Sequence, residues 1–100
     1  MNIKKKKDGT TLTIIISGRI DTVTAPEVDD FVNKNLDGAE MLILDFKDVN
    51  YVSSAGLRVL LSLQKKMMVK GEMKLINVNE AVSDVFEVTG FDEILTYEKG

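Results

Sequence analysis

Ser53 and Ser54 close an apolar run and stand directly before Ala55-Gly56-Leu57-Arg58, where a helical pattern begins. A serine at such a point can cap the helix, act as a nucleophile or accept a phosphate. The nucleophile needs a base. The chain has no histidine and no cysteine, which removes the Ser-His-Asp and Cys-His arrangements. No serine-lysine or paired-carboxylate spacing of a known type replaces them, so a hydrolytic enzyme is not expected. Cap and phosphate acceptor remain open together, since two adjacent serines can take one role each. A helix amino terminus offers unpaired N–H groups and a partial positive charge, so phosphate there is compatible with the fold.

The other polar residues carry weaker signals. Asp21, Asp45 and Asp48 invite comparison with the magnesium site of a phospho-receiver domain. Such a domain needs paired acids after its first strand and a lysine after its last, whereas this chain opens with a hairpin. Gly56 belongs to no glycine-rich run followed by Lys-Ser or Lys-Thr, so nucleotide binding is unsupported. No metal and no cofactor are expected. Arg58 falls on the exposed side of its helix, where it can meet an acid of a partner.

Net charge is −3, unevenly spread: residues 1–20 carry +4 through Lys4, Lys5, Lys6, Lys7 and Arg19 against Asp8, leaving −7 on the rest. The lysines lack interleaved aromatics and the remaining surface is acidic, so no nucleic-acid partner is expected. They suit an edge strand, where charge blocks edge-to-edge pairing. One hundred residues at 44% hydrophobic make one domain, 1–100, with a modest core. No window approaches the roughly 20 apolar residues that cross a bilayer, and no apolar signal core follows the first lysines. A cytoplasmic protein without membrane insertion is the expectation, and the lack of cysteine fits a reducing compartment.

These residues must be positioned by regular elements. Ile3 to Asp8 and Thr11 to Ser17 read as an antiparallel hairpin turning at Asp8-Gly9-Thr10. Gly18-Arg19-Ile20-Asp21 then leaves the sheet. Thr24 and Glu27 form a capping box for a helix with Val28, Phe31, Val32 and Leu36 on one face, ending near Asp37-Gly38. Met41 to Phe46 is apolar on both faces, as in a central strand. In the helix after the serines, Leu57, Leu60, Leu61 and Met68 make a stripe that Val59, Leu63 and Met67 widen, which calls for cover by another helix or a partner. Gly71 ends it, Lys74 to Val78 is a strand, and Asn79 caps a helix with Val82, Val85 and Phe86 inward, closed by Gly90. Phe91, Ile94, Leu95 and Tyr97 form a last strand or docking segment. The fold class is α/β: a mixed sheet opening with an antiparallel hairpin, followed by βαβ units with helices packed on the sheet.

Gly18-Arg19-Ile20-Asp21 before a helix, an apolar strand ending in Leu44-Asp45, and Tyr51-Val52-Ser53-Ser54-Ala55-Gly56-Leu57 together resemble a STAS domain of the anti-sigma factor antagonist type. The resemblance spans essentially the whole chain. It implies a small regulatory protein that is not an enzyme and acts by partner switching. In such a module the antagonist is phosphorylated on a serine by a partner that is both anti-sigma factor and serine protein kinase, and a PP2C-type phosphatase restores it. By position the acceptor is Ser54, with Ser53 the less favoured choice. The resemblance places Asp21, Thr22, Ser53, Ser54, Ala55, Gly56 and Arg58 on the partner-binding surface. Ser53 departs from the family pattern, which has aspartate there. That departure motivates an alternative, a STAS-like interaction subunit of a transporter or other assembly in which the serines only cap.

Overall fold

The computed structural model describes residues 1–100. The elements are β1 (Asn2–Asp8), β2 (Thr11–Ile20), α1 (Ala25–Asn35), β3 (Met41–Val52), α2 (Ser54–Lys70), β4 (Glu72–Val78), α3 (Glu80–Thr89), a short 3-10 turn (Phe91–Glu93) and β5 (Tyr97–Lys99). They build one mixed sheet in the order β1-β2-β3-β4-β5. Only β1 runs antiparallel to its neighbour; the other pairings are parallel. The hairpin-then-βαβ architecture is therefore the one the sequence implies.

Each crossover steps to the next strand in the same direction. With the right-handed connections such units adopt, α1, α2 and α3 lie on the same face of the sheet. Burial agrees. Leu12, Ile14 and Ile16 of β2, Leu42, Leu44 and Phe46 of β3, and Met73 and Leu75 of β4 are buried. They meet Val28 and Val32 of α1, Leu57, Leu60, Leu63 and Met67 of α2, and Val82 and Phe86 of α3 in one core. The alternate positions Thr13, Ile15, Ile43, Lys74 and Ile76 face the uncovered side and are half-buried. Lys4 to Lys7 line the exposed edge strand β1.

Four expectations need correction. Gly18-Arg19-Ile20 does not leave the sheet; β2 runs on to Ile20, and β3 extends past Phe46 to Val52. The pairing register shifts between Ile15 and Ser17 and again between Gly18 and Arg19. These bulges break the two-residue period, so the buried residues of β3 go Phe46, Val49, Val52, at a spacing of three that conceals a strand. β4 likewise begins at Glu72, two residues before the expected start.

The stripe on α2 is Leu57, Leu60, Leu63 and Met67, rotated from the expected one: Leu61 is only half-buried, and Met68 is 71% exposed beside Val69 at 89%. The α2–β4 turn is tight. A Cβ at Gly71 would run into the carbonyl oxygen of Glu40, which also accepts from Glu72 N at 3.0 Å.

Candidate partner-binding site

The two longest strands, β2 and β3, end side by side. Ser53 N donates to Ile20 O at 2.8 Å, which sets the start of α2 beside the loop that leads into α1. Ser53 has extended backbone (φ −85°, ψ 175°), and its Oγ accepts from Gly56 N at 3.2 Å. It is the N-cap. Ser54 is the first helical residue, exposed, and its hydroxyl is spent on no hydrogen bond within the chain. No acidic residue occupies the first turn of α2, so the positive end of that helix meets no opposing carboxylate of its own.

Gly56, placed by the resemblance on the contact surface, is buried instead. A Cβ there would sit 2.9 Å from Ile20 Cγ2, 2.9 Å from Val52 Cγ1 and 3.0 Å from Ile20 O. Its lack of a side chain lets the first turn of α2 lie directly on the strand ends. Of the remaining expected contact residues, Thr22, Ser54 and Arg58 are exposed, while Asp21, Ser53 and Ala55 are half-buried.

The capping box at α1 does not form. Thr24 already has helical backbone (φ −91°, ψ −21°) and caps nothing with its side chain. Asp21 does that work from three residues earlier, because a short carboxylate can reach forward to N–H groups of its own turn. Its Oδ1 accepts from Val23 N and Thr24 N, both at 3.0 Å. The Thr24 hydroxyl lies between Asp21 Oδ1 at 3.1 Å and Arg19 O at 2.6 Å, and accepts from Asp21 N at 2.9 Å. The Thr24 N–H is the largest cause holding the Asp21 carboxyl below its ordinary pKa; the Thr24 hydroxyl, Val23 N–H and Arg19 add to it against partial desolvation.

Three residues that sequence reasoning did not place on this surface also border it. Arg19 Nε lies 3.8 Å from Asp21 Oδ2, and its guanidinium stacks 4.2 Å from the centre of the Tyr51 ring. Val23 is 77% exposed between them and α1. Arg19 and Tyr51 become cross-strand neighbours only after both bulges, so alternation could not have paired them. Val23 did carry a signal, an apolar residue inside a polar turn.

The three carboxylates considered for a cation do not converge. Asp45 accepts from Lys47 N and Asn77 Nδ2, both at 3.0 Å, Asp21 is held in its own turn, and no three acids come together. What the rim offers is a free hydroxyl on a helix amino terminus, surrounded by two cations, Arg19 and Arg58, one anion, Asp21, and exposed apolar groups.

The STAS domain family model matches residues 2–99. The chain belongs to the STAS domain family. It is 33% identical over 99 residues to the anti-sigma-B factor antagonist of Bacillus subtilis, an alignment covering 95% of this chain and 88% of that one. Its fold matches an anti-sigma factor antagonist from Mycobacterium paratuberculosis at a TM-score of 0.89 and 21% identity, over 99% of this chain and 86% of that one. It also matches the Bacillus cell fate determinant SpoIIAA in its phosphorylated form, at a TM-score of 0.73 and 16% identity, over 98% and 92%. This STAS domain thus stands among the anti-sigma factor antagonists, regulatory proteins that exchange partners and are not catalysts. None of its helices is long and apolar enough to cross a membrane.

Proposed function

We propose that this STAS domain is an anti-sigma factor antagonist switched by reversible phosphorylation of Ser54. The observation that carries the reading is the division of labour between the serines: Ser53 Oγ caps α2, which leaves Ser54 exposed and uncommitted. The partner is an anti-sigma factor that is also a serine protein kinase, and a PP2C-type phosphatase reverses its action. The SpoIIAA relative, solved in phosphorylated and unphosphorylated forms, supports a modification that leaves the fold intact.

The switch is electrostatic. A phosphate adds about −1.5 to −2 charge near neutral pH to a rim that already holds Asp21. An unpaired charge forced into an interface costs on the order of 2 to 5 kcal/mol. At about 1.4 kcal/mol per decade, that weakens binding by roughly 30-fold to several thousand-fold. Thr22, Ala55 and Arg58 flank the hydroxyl and complete the contact surface, with Arg19, Val23 and Tyr51 extending it.

The test is phosphate transfer from the partner kinase and ATP, mapped by mass spectrometry. Ser53→Ala should be labelled at Ser54, and Ser54→Ala should remain unlabelled. Labelling of Ser54→Ala at the wild-type level overturns the assignment.

A further inference from the structure

The charge of this chain is sorted by helix. α2 carries Arg58, Lys65, Lys66 and Lys70 and no acid, while α3 and the following turn carry Glu80, Asp84, Glu87, Asp92 and Glu93 and no base. The chain's ion pairs are Arg19–Asp21, Lys34–Asp30, Lys74–Glu98 and Lys99–Glu80. None of the four α2 cations finds a carboxylate. Lys66 Nζ donates to Asn33 Oδ1 at 2.7 Å and Lys70 Nζ to Leu36 O at 2.8 Å, both neutral acceptors. On the acidic side, Asp84, Glu87, Asp92 and Glu93 are exposed and meet no cation.

Four unpaired cations thus face solvent on one segment and four unpaired anions on another. Exposed apolar residues accompany both. Of the seven large apolar side chains left exposed, Met68 (71%) and Val69 (89%) lie on the cationic segment, and Val88 (87%) and Ile94 (44%) on the acidic one. Each segment therefore combines a charge strip with an apolar pair, and each is the complement of the other.

We infer that a second copy of this chain is the occupant of these surfaces, α2 of one copy against α3 and the Phe91–Glu93 turn of the other. A two-fold axis makes the contact twice and closes the assembly. Exposed ion pairs contribute little each and are screened by salt, so the dimer is weak and salt-sensitive. Ser54 lies at the opposite end of α2 from Lys70, about 24 Å away by the helical rise, so the Lys65–Lys70 end of the contact stands clear of the phosphoacceptor, while Arg58, one turn from Ser54, belongs to both surfaces.

Sedimentation equilibrium tests this on the whole protein. The wild type should dimerise with a Kd in the micromolar range at about 0.05 M NaCl, weakened about tenfold or more at about 0.5 M. Lys65→Glu with Lys66→Glu, and separately Glu87→Lys with Glu93→Lys, should each be monomeric, and mixing the two should restore a dimer. Val69→Asp, at a position too exposed to disturb folding, should also be monomeric. A wild type that stays monomeric at about 100 μM and low salt, a dimer that survives either reversal, or a mixture that stays monomeric overturns the inference.

Discussion

The starts of α1 and α2 lie side by side, and they solve the same problem with opposite economies. Both must satisfy the orphan N–H groups that open a helix. At α1 the carboxylate of Asp21 accepts two backbone N–H groups and contacts the Thr24 hydroxyl, so one side chain does nearly all the work. At α2 the hydroxyl of Ser53 accepts one N–H, from Gly56, and the neighbouring hydroxyl of Ser54 is left over. One helix start is a closed structural knot and the other keeps a spare reactive group. What a polar residue at a helix start can do for function is therefore decided by which neighbour has already taken the cap.

The largest expected effect comes from the residue that joins the two starts. Gly56→Val puts methyl groups where even a Cβ lies 2.9 Å from Ile20 and Val52, and 3.0 Å from the Ile20 carbonyl that receives Ser53 N. Overpacking of this kind costs about 1–3 kcal/mol or more, read as a lower urea midpoint. It should also loosen both starts together, since α2 would be pushed off the ends of β2 and β3. A variant as stable as wild type would mean that the helix is not seated as closely as the geometry shows.

Asp21→Ala comes next. It strips α1 of its acceptor, and its melting temperature should fall by more than that of Ser53→Ala. Asp21→Asn keeps an acceptor oxygen and should fall between them. The charge has its own signature. Because the folded carboxyl is held below 3.8, its stabilisation is complete above that value and is lost as pH falls through the depressed folded-state pKa. Wild type should therefore lose stability on acidification in this window, and Asp21→Asn should flatten that limb of the profile.

The serines give the sharpest contrast. Ser53→Ala removes a cap worth about 1 kcal/mol, a drop of roughly 4–8 °C in a domain of this size. Ser54→Ala, an exposed change with no bond to lose, should stay within about 0.5 kcal/mol of wild type. Ser53→Asp introduces the residue found in the family pattern and should keep the cap, because aspartate caps as well as serine, while its charge at the helix amino terminus adds about 0.3–1 kcal/mol. If Ser54→Ala were the more destabilising of the two alanines, the roles drawn from the geometry would be reversed.

The sequence makes the interior of this fold easier to read than its rim. Leu12-Ile14-Ile16 and Leu42-Leu44-Phe46 alternate, the hairpin turn is marked by Asp8-Gly9, and Asn79 caps α3 where the pattern puts it, its Oδ1 accepting from Val82 N at 2.9 Å. Alternation fails beyond Ile16 in β2 and Phe46 in β3 because bulges reset it, and that concealed the last part of both strands, hence the Arg19–Tyr51 stack. The α1 start misled for a different reason. Thr24-x-x-Glu27 satisfies the capping-box pattern, but Asp21 takes the Thr24 N–H that Glu27 would have reached, with a charged acceptor in its own turn, and holds the Thr24 hydroxyl as well. Ser53 and Ser54 were legible as a pair, while their division of labour needed the backbone angles that make Ser53 the cap. Met68 was misread because its neighbour Met67 fits the buried stripe one position earlier.

The last effect, a gain in stability rather than a loss, tests the electrostatic half of the comparison. Ser54→Glu places a carboxylate in the first turn of α2, which has no acid, and four residues before Arg58. A negative charge at a helix amino terminus contributes about 0.3–1 kcal/mol, and a Glu–Arg pair at that spacing adds about 0.2–0.5 kcal/mol. The variant should therefore melt above wild type while mimicking the charge proposed to release the partner. Both contributions act through exposed groups, so raising NaCl toward about 1 M should erase most of the gain. Val23→Glu is the matched change at α1, where Asp21 and Glu27 already supply negative charge. There a further carboxylate meets repulsion and should bring no gain. Stabilisation by Ser54→Glu alone means that the α2 start is built to tolerate an added anion; stabilisation by Val23→Glu alone would show that the electrostatic difference between the two helix starts runs the other way.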